Sequence, residues 1–353
     1  MPDLSDETTK LIKEYFMKIP EHESYFASAI DDRKHHKEII EKILKKEELE
    51  HMSEVSFSKL ISSLWASGIW VNKDYLVNSI ISSNGGIEKI RNEFIKLLYG
   101  QGPFIKRFDE FDVKRLGSAS TTEILCMFSP DKYGIWNVNT RNAFEALNFI
   151  KSPFTKYNIN GEEYEKINAV MIEIGKVLKE LKISEVDLLT VDYFLYQVSD
   201  LKEKGTIKAS VKKNSKDFDH DEIRDYLSSI GGFLGFESDI EYPIANGARV
   251  DAIWTARIGN LGAIKYVFEV QKSGSIDSLI LNLQRARSNA TVQKVVAVSN
   301  SEQLDKIKSE VETLSEEFRK SLVYWDQENV VKTYEMLSKA QELMADLGLT
   351  KSP

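Results

Sequence analysis

Two acidic residues, Asp251 and Glu269, stand in short segments that are otherwise rich in β-branched and aromatic residues. The segments run from Ala248 to Trp254 and from Ile264 to Lys272, and Gly259-Asn260 falls between them. Short segments of this composition around such a dipeptide are typical of a β-hairpin. The sequence therefore places two carboxylates on two strands that are expected to pair.

Side chains alternate along a strand, so each predicted strand presents its carboxylate on one face. Asp251 shares a face with Arg249 and Ile253, and Glu269 shares a face with Val267 and Gln271. On the second strand Tyr266, Phe268 and Val270 then point the other way, into a core. A buried carboxylate is costly unless it is paired or binds a cation. A divalent metal is the simplest explanation; the alternative is an edge hairpin with solvated polar positions.

The arrangement of Asp251 followed on the next strand by Glu269 and Gln271 resembles the PD-(D/E)xK nuclease superfamily. That superfamily holds magnesium between an Asp on one strand and Glu-x-Lys on the next, and some of its restriction endonucleases carry Glu-x-Gln. The resemblance implies Mg²⁺, with Mn²⁺ as a substitute, bound by Asp251, Glu269 and the carbonyl of Val270. It implies a metal-dependent DNA endonuclease that hydrolyses phosphodiester bonds, in which the Gln271 amide positions the attacking water.

Three residues around this motif are candidates for supporting roles. Glu222 lies on the preceding predicted helix, where the superfamily often has an accessory metal ligand; a solvent-facing carboxylate is the alternative. Asn282 and Arg285 share the polar side of the following helix and are candidates for contacts with DNA phosphates. A solvated helix face is the alternative for these two residues.

The elements around the motif predict an αβββαβ core with an α-β-α extension. Asp219 to Ile230 has helical periodicity and ends at Gly231-Gly232. Phe236 to Tyr242 is predicted as a strand that ends at Pro243, and Lys294 to Val298 as a buried parallel strand. The predicted fold class is multidomain α plus α/β, with a restriction-endonuclease-like core in the C-terminal half.

The N-terminal half is predicted to be all-helical, and its most informative part is Phe108 to Leu147. A helix, a turn of small residues and a second helix follow one another around Gly117, Ser118, Ala119, Ser120 and Thr121. This pattern resembles the helix-hairpin-helix region of DNA glycosylases, in which backbone N–H groups of the turn approach a DNA phosphate. The resemblance implies that these five residues bind DNA.

Two positions depart from the glycosylase pattern. Thr121 stands where bifunctional members carry Lys, and Asn137 or Asn139 stands where the catalytic Asp opens a later helix; the helical stripe favours Asn137. Neither Asn can act as a carboxylate. We therefore expect DNA binding without base excision, and a plain helical bundle is the alternative.

Composition describes an ordinary globular protein of 353 residues with a net charge of −8. We predict a helical DNA-binding domain over 1–204, a linker over 205–218 and a nuclease-like domain over 219–353. The linker contains the basic run Lys208 to Lys216, the best local patch for phosphate contacts, although a flexible solvated linker is the favoured interpretation. Net acidity does not exclude nucleic acid, because a local patch suffices.

The sequence also sets expectations about location and partners. It shows no run of apolar residues long enough for a membrane span and no signal peptide, and its single cysteine, Cys126, fits a reducing cytoplasm. DNA is the expected partner, and a homodimer is expected only by analogy with superfamily members that cut both strands. Two alternatives remain: a catalytically inactive nuclease fold that recognises DNA, and a protein-interaction scaffold.

Overall fold

A computed structural model describes residues 4–19, 24–183, 185–207, 218–245, 248–259 and 262–349. The chain divides into two compact units. The first comprises Met1–Ser67 and Ile80–Lys212, and the second comprises Gly68–Ser79 and Lys213–Pro353. One boundary between the units, after Lys212, falls inside the predicted linker, whereas the assignment of Gly68–Ser79 to the second unit departs from the predicted division. The basic run Lys208 to Lys216 and the expected turns at Asn246-Gly247 and Asn260 lie outside the described residues.

The described part of the first unit contains helices joined by loops and no β-strand. The helices of the N-terminal half are α1 Asp6–Phe16, α2 Ser24–Leu44, α3 Lys46–Glu50, α4 Glu54–Ser63, α5 Lys73–Ser83, α6 Ile87–Tyr99, α7 Phe104–Asp109, α8 Ser118–Phe128, α9 Val138–Ala146, α10 Gly161–Glu180 and α11 Leu188–Glu203, with a 3₁₀ turn at Trp65–Ser67. Phe144 of α9 and Phe194 of α11 lie in a shared core with Trp136, which precedes α9. Apolar burial of this kind stabilises helices more than their intrinsic propensity does.

The helix-hairpin-helix region differs in detail from the predicted pattern. After α7 the chain runs through Glu110–Gly117, where Arg115 adopts a left-handed conformation with φ 71°. The small residues that follow Gly117 form the first turn of α8 instead of a turn between helices. Asn137 is the N-cap of α9, and its side chain accepts a hydrogen bond from the Thr140 N–H at 3.0 Å. The later helix therefore begins where the stripe of buried residues favoured it.

The second unit is built on a five-stranded mixed sheet. Its elements from residue 218 onward are α12 His220–Phe233, β1 Glu237–Ala245, β2 Ala248–Arg257, β3 Ala263–Val270, α13 Ile276–Arg287, β4 Val292–Ser299, α14 Ser301–Val311, α15 Glu316–Ser321, β5 Leu322–Asp326 and α16 Gln327–Asp346. The strands lie in sequence order; β1, β2 and β3 are antiparallel, and β3, β4 and β5 are parallel. The expected αβββαβ order is observed, with α15 as an additional helix. The mixed α/β class is confirmed, whereas the nuclease fold itself stays a prediction.

Apolar residues cover both faces of the sheet. Val267 packs in a core with residues of α13, α14 and α15, and Phe268 and Val270 pack in a second core with residues of α12 and α16. Phe268 and Val270 therefore point into a core on the face of the sheet opposite to that of Val267, as the alternation along the strand predicted. Because β2 and β3 are interior strands, the alternative of an edge hairpin for Asp251 and Glu269 is wrong.

The prediction that Pro243 ends the first strand is also wrong. Strand β1 continues to Ala245, with Pro243 opposite Arg249 and a register irregularity between Pro243 and Ala245. Proline lacks the N–H of an inner ladder, but it is tolerated on an edge strand. β1 is an edge strand of this sheet, which is the position in which a proline is tolerated.

A short segment of the N-terminal half belongs to the sheet-containing unit. Within that unit the Val71 N–H donates to the Gly232 carbonyl at 3.3 Å, and the Tyr75 hydroxyl donates to Asp239 at 2.6 Å. The Trp70 ring lies so close to Gly232 that a Cβ there would come within 2.6 Å of Trp70 Cδ2. The predicted helical domain 1–204 includes these residues, because nothing in their pattern indicates a separate packing partner.

Candidate functional site

The two motif carboxylates lie on adjacent antiparallel strands. Ala252 of β2 faces Phe268 of β3, and this register places Asp251 level with Glu269. The Val270 N–H donates a hydrogen bond to Oδ2 of Asp251 at 2.7 Å. Strand pairing and this hydrogen bond together hold the two carboxyl groups beside each other, as the sequence analysis expected.

Glu269 is the more deeply buried member of the pair. Its side chain is 8% exposed, and Oε1 has no hydrogen-bond partner among the described residues. The pKa of Glu269 is raised to about 9, mainly by burial and then by repulsion from the Asp251 carboxylate and a hydrogen bond shared with it; a hydrogen bond with the Asn282 side chain acts in the opposite direction. At neutral pH without a cation, Glu269 therefore keeps its proton beside Asp251.

His220, the first residue of α12, joins the site from the helix. Its Nε2 lies 3.3 Å from Oδ1 of Asp251, and its Nδ1 lies 3.4 Å from Oδ1 of Asp221. The hydrogen bond to Asp251 raises the pKa of His220, while partial burial lowers it. His220 was not among the site residues predicted from the sequence. Its place at the start of a predicted helix was readable, but no spacing rule connects that place with Asp251.

Gln271 follows β3 directly and is held by its backbone. Its N–H donates to the Val298 carbonyl at 2.7 Å, and its own carbonyl accepts a hydrogen bond from the Ser299 hydroxyl. The Gln271 side chain is buried, and its Nε2 donates to the Ser273 carbonyl at 3.2 Å. The amide that was expected to position water is therefore engaged with the loop after β3 in this structure.

The two α13 residues that were predicted to contact phosphate are placed differently. Asn282 is half-buried, and its side chain forms the hydrogen bond that lowers the pKa of Glu269. It therefore contacts the carboxylate pair. Arg285 is exposed near the end of α13. A phosphate contact by Arg285 stays a prediction, and Asn282 has an additional role that the sequence did not indicate.

Glu222 is not assembled into a ligand set with the motif carboxylates. Its Oε1 accepts a hydrogen bond from the Tyr226 hydroxyl at 2.7 Å. Among the residues described, no group of three or more His, Cys, Asp or Glu side chains is arranged to hold a metal ion. Mg²⁺, however, is often held by only one or two carboxylates, with water and substrate phosphates as its remaining ligands.

The donors present fit that mode of magnesium binding. Asp251 and Glu269 supply carboxylate oxygens, and the unpartnered Oε1 of Glu269 lacks the ligand or donor that a buried oxygen requires. The Val270 carbonyl, the expected third ligand, belongs to the strand residue whose N–H already holds Asp251. The pair therefore has the oxygen chemistry of a hard-cation site, and Glu222 lies outside it.

In the helical unit, the residues predicted to bind DNA lie at the start of α8. No side chain caps this helix start among the described residues, and Gly117 is exposed. Thr121 is buried, and its N–H donates to the Gly117 carbonyl at 3.0 Å. The first N–H groups of a helix have no acceptor within the helix. The donors of Ser118, Ala119 and Ser120 thus occupy the terminal positions at which anions bind favourably.

Comparison of the chain with protein-family models, with curated proteins and with solved structures returns no match. Of the helices in the described part of the chain, none is both long and apolar enough to cross a membrane. The function of the chain must therefore be inferred from the geometry of its own residues.

Proposed function

We propose that this chain is a metal-dependent DNA endonuclease with its active site at Asp251 and Glu269. The observation that carries the proposal is the juxtaposition of two carboxyl groups on interior strands, with Oε1 of Glu269 buried and unpartnered. Mutual repulsion and burial make this arrangement costly unless a proton or a cation lies between the groups. A divalent cation bound between the two carboxylates would offset their repulsion. Phosphodiester hydrolysis is the reaction that the superfamily resemblance implies.

Each residue of the site would have a separate role in the reaction. Asp251 and Glu269 hold the cation, and the Val270 N–H fixes the orientation of Asp251. When bound, Mg²⁺ supplies charge neutralisation for the phosphoryl oxygens and activates a water molecule. Gln271 would orient the attacking water once its amide left the Ser273 carbonyl; an amide can position water but cannot accept its proton at neutral pH.

The helical unit would contribute DNA binding. Its support is the uncapped start of α8, where Gly117 is exposed and the following N–H groups have no side-chain partner among the described residues. Arg141 lies over the Tyr157 ring at 5.2 Å, and a Cβ at Gly117 would lie 3.9 Å from the Tyr157 hydroxyl. A guanidinium and a hydroxyl near such a helix start suit a phosphate. Asn137, which is engaged as a helix cap, leaves no carboxylate for base excision.

A second candidate is an inactive nuclease fold that recognises DNA. Two observations favour it: the Gln271 amide is turned toward Ser273, and no third acidic or histidine ligand completes the pair within the described residues. In that case Glu269 keeps its proton permanently and the pair has no catalytic role. DNA binding would then persist without cleavage and without a bound ion.

The deciding experiment incubates the full chain with duplex, single-stranded and branched DNA in Mg²⁺, in Mn²⁺ and in a chelator. We expect cleavage of at least one DNA form with either metal and none with the chelator. Asp251→Asn should abolish cleavage and retain DNA binding, whereas Asp305→Asn, an exposed carboxylate of α14 in an ion pair with Lys308, is the matched control and should cleave normally. DNA binding without cleavage under all these conditions would support the inactive candidate instead.

A further inference from the structure

His220 lies against the outer oxygen of Asp251. The distance from His220 Nε2 to Asp251 Oδ1 is 3.3 Å, while Asp251 Oδ2 accepts the Val270 N–H at 2.7 Å. Both oxygens of Asp251 are thus contacted by nitrogen from different elements, one from the start of α12 and one from the end of β3. The carboxylate group cannot rotate without breaking one of these contacts.

The His220 ring is itself held on its other side. Its Nδ1 lies 3.4 Å from Oδ1 of Asp221, and the same Asp221 oxygen pairs with Arg224 at 3.0 Å. Arg224 is mostly buried and pairs in addition with Glu241 at 3.1 Å. The imidazole is therefore fixed between two carboxylates, one of which is anchored to a buried guanidinium.

Carboxylate oxygens only accept hydrogen bonds, so the His220 nitrogen that faces Asp251 serves that contact as an N–H donor. Each oxygen of Asp251 has a second lone pair that stays available for a cation. Among the described residues, no group of three or more His, Cys, Asp or Glu side chains is arranged to hold a metal ion. His220 is thus placed to orient a ligand, and its geometry does not make it one of the ligands.

We propose that His220 is a positioning residue that holds Asp251 in the orientation required to share a divalent cation with Glu269. This inference rests on the proposed function, because it assigns to the Asp251–Glu269 pair the cation proposed above. Groups that hydrogen-bond a metal ligand from outside fix its orientation, and their loss typically lowers metal affinity about 10- to 100-fold.

The test measures Mn²⁺ binding to the full chain, without DNA, at one fixed pH, by electron paramagnetic resonance of free Mn²⁺. His220→Ala removes the donor, and His220→Gln keeps an N–H donor near the position of Nε2. We expect the Mn²⁺ affinity of His220→Ala to be about 10- to 100-fold lower than that of the wild type. We expect His220→Gln to recover most of this loss. His35→Ala, an exposed histidine of α2, is the control and should bind like the wild type.

The outcomes separate this inference from the proposed function. If the wild type binds no Mn²⁺, or if Asp251→Asn binds Mn²⁺ as tightly as the wild type does, the metal site itself is refuted. If binding depends on Asp251 and His220→Ala binds as tightly as the wild type, the positioning role is refuted and the metal site stands. An equal loss in His220→Ala and His220→Gln, in proteins with wild-type circular dichroism, also refutes positioning and makes His220 a ligand.

Discussion

Oδ2 of Asp251 accepts a hydrogen bond from the backbone N–H of Val270 at 2.7 Å, across two antiparallel strands. The donor belongs to the residue directly after Glu269, so the backbone that carries one carboxyl group fixes the other. This local arrangement forces the two acidic groups together before any ligand arrives. A site assembled by the strands themselves needs little rearrangement to accept a cation, which is how preorganised sites reduce the cost of binding.

The first prediction concerns the effect of metal on stability. Glu269→Gln replaces a buried carboxyl group, protonated at neutral pH, by a neutral amide that can still donate to Asp251, so the metal-free variant should unfold at nearly the same temperature as the wild type at neutral pH. Added Mn²⁺ should raise the unfolding temperature of the wild type and leave that of the variant unchanged. Thermal unfolding with Mn²⁺ and with a chelator measures both effects, and an equal response of the two proteins to Mn²⁺ would contradict the assignment.

The second prediction concerns Gln271, which stands where the superfamily usually has Lys. Gln271→Lys should be tolerated and should raise the cleavage rate about 10-fold or more, because a positive charge beside the attacking water stabilises the hydroxide that forms from it. Gln271→Met, of similar volume but without an amide, should lower the rate. Initial rates of cleavage at saturating Mg²⁺ test the pair of variants, and a rate for Gln271→Lys below that of Gln271→Met would oppose a role in handling water.

Much of the sheet-containing unit was predictable from the sequence. The alternation in β2 and β3 gave the two faces of the strands, and the periodicity before and after them gave α12 and α13. The pairing of Asp251 with Glu269 followed from these local rules alone. The N-cap at Asn137 was predictable for the same reason, since capping is decided within a few residues.

The contacts that the sequence did not predict are those between distant segments. His220 reaches Asp251 across 31 positions of the sequence, and Asn282 turns toward Glu269 from the next helix. Neither contact follows from periodicity, because the rotation of a helix over a sheet is set by packing. The small residues after Gly117 fit the hairpin turn of the pattern that they resemble, but Ser is equally suited to the first turn of a helix, where the structure has them.

The third prediction concerns Trp70 and Gly232, which pack together within the sheet-containing unit. Gly232→Ala should destabilise this unit by about 1–3 kcal/mol, because the added Cβ would overlap the Trp70 ring. In a Trp70→Ala background the same change should be neutral or stabilising by up to about 1 kcal/mol, since alanine favours a helix more than glycine does. Urea unfolding of the four proteins of this cycle gives the coupling energy. Additive effects would mean that Trp70 is not the group displaced.

Glu123 presents a second buried carboxyl group, in the helical unit. Its side chain is 1% exposed, and it accepts hydrogen bonds from the N–H groups of Trp65 at 2.7 Å and Ala66 at 2.9 Å. Burial raises the pKa of Glu123 to about 8, although the two backbone hydrogen bonds act in the opposite direction. Nearby, burial lowers the pKa of His36 to about 4. The two groups therefore affect the pH dependence of stability with opposite signs.

The last prediction follows from these signs. In the unfolded chain Glu123 titrates near pH 4.5, and in the folded chain near pH 8, so the folded state binds more protons between these values. Its contribution to stability is complete below pH 4.5 and is lost as the pH rises toward 8. Above pH 6.5 His36 is mainly neutral in both states and no longer contributes to the pH dependence of stability.

Between pH 6.5 and pH 8 the free energy of unfolding of the wild type should therefore fall by up to about 1.4 kcal/mol more per pH unit than that of Glu123→Gln. Urea unfolding of both proteins across this range measures the difference, in which the titration of Glu269 cancels because both proteins contain it. Parallel pH profiles would show that Glu123 is already ionised in the folded protein and that its two N–H donors outweigh its burial.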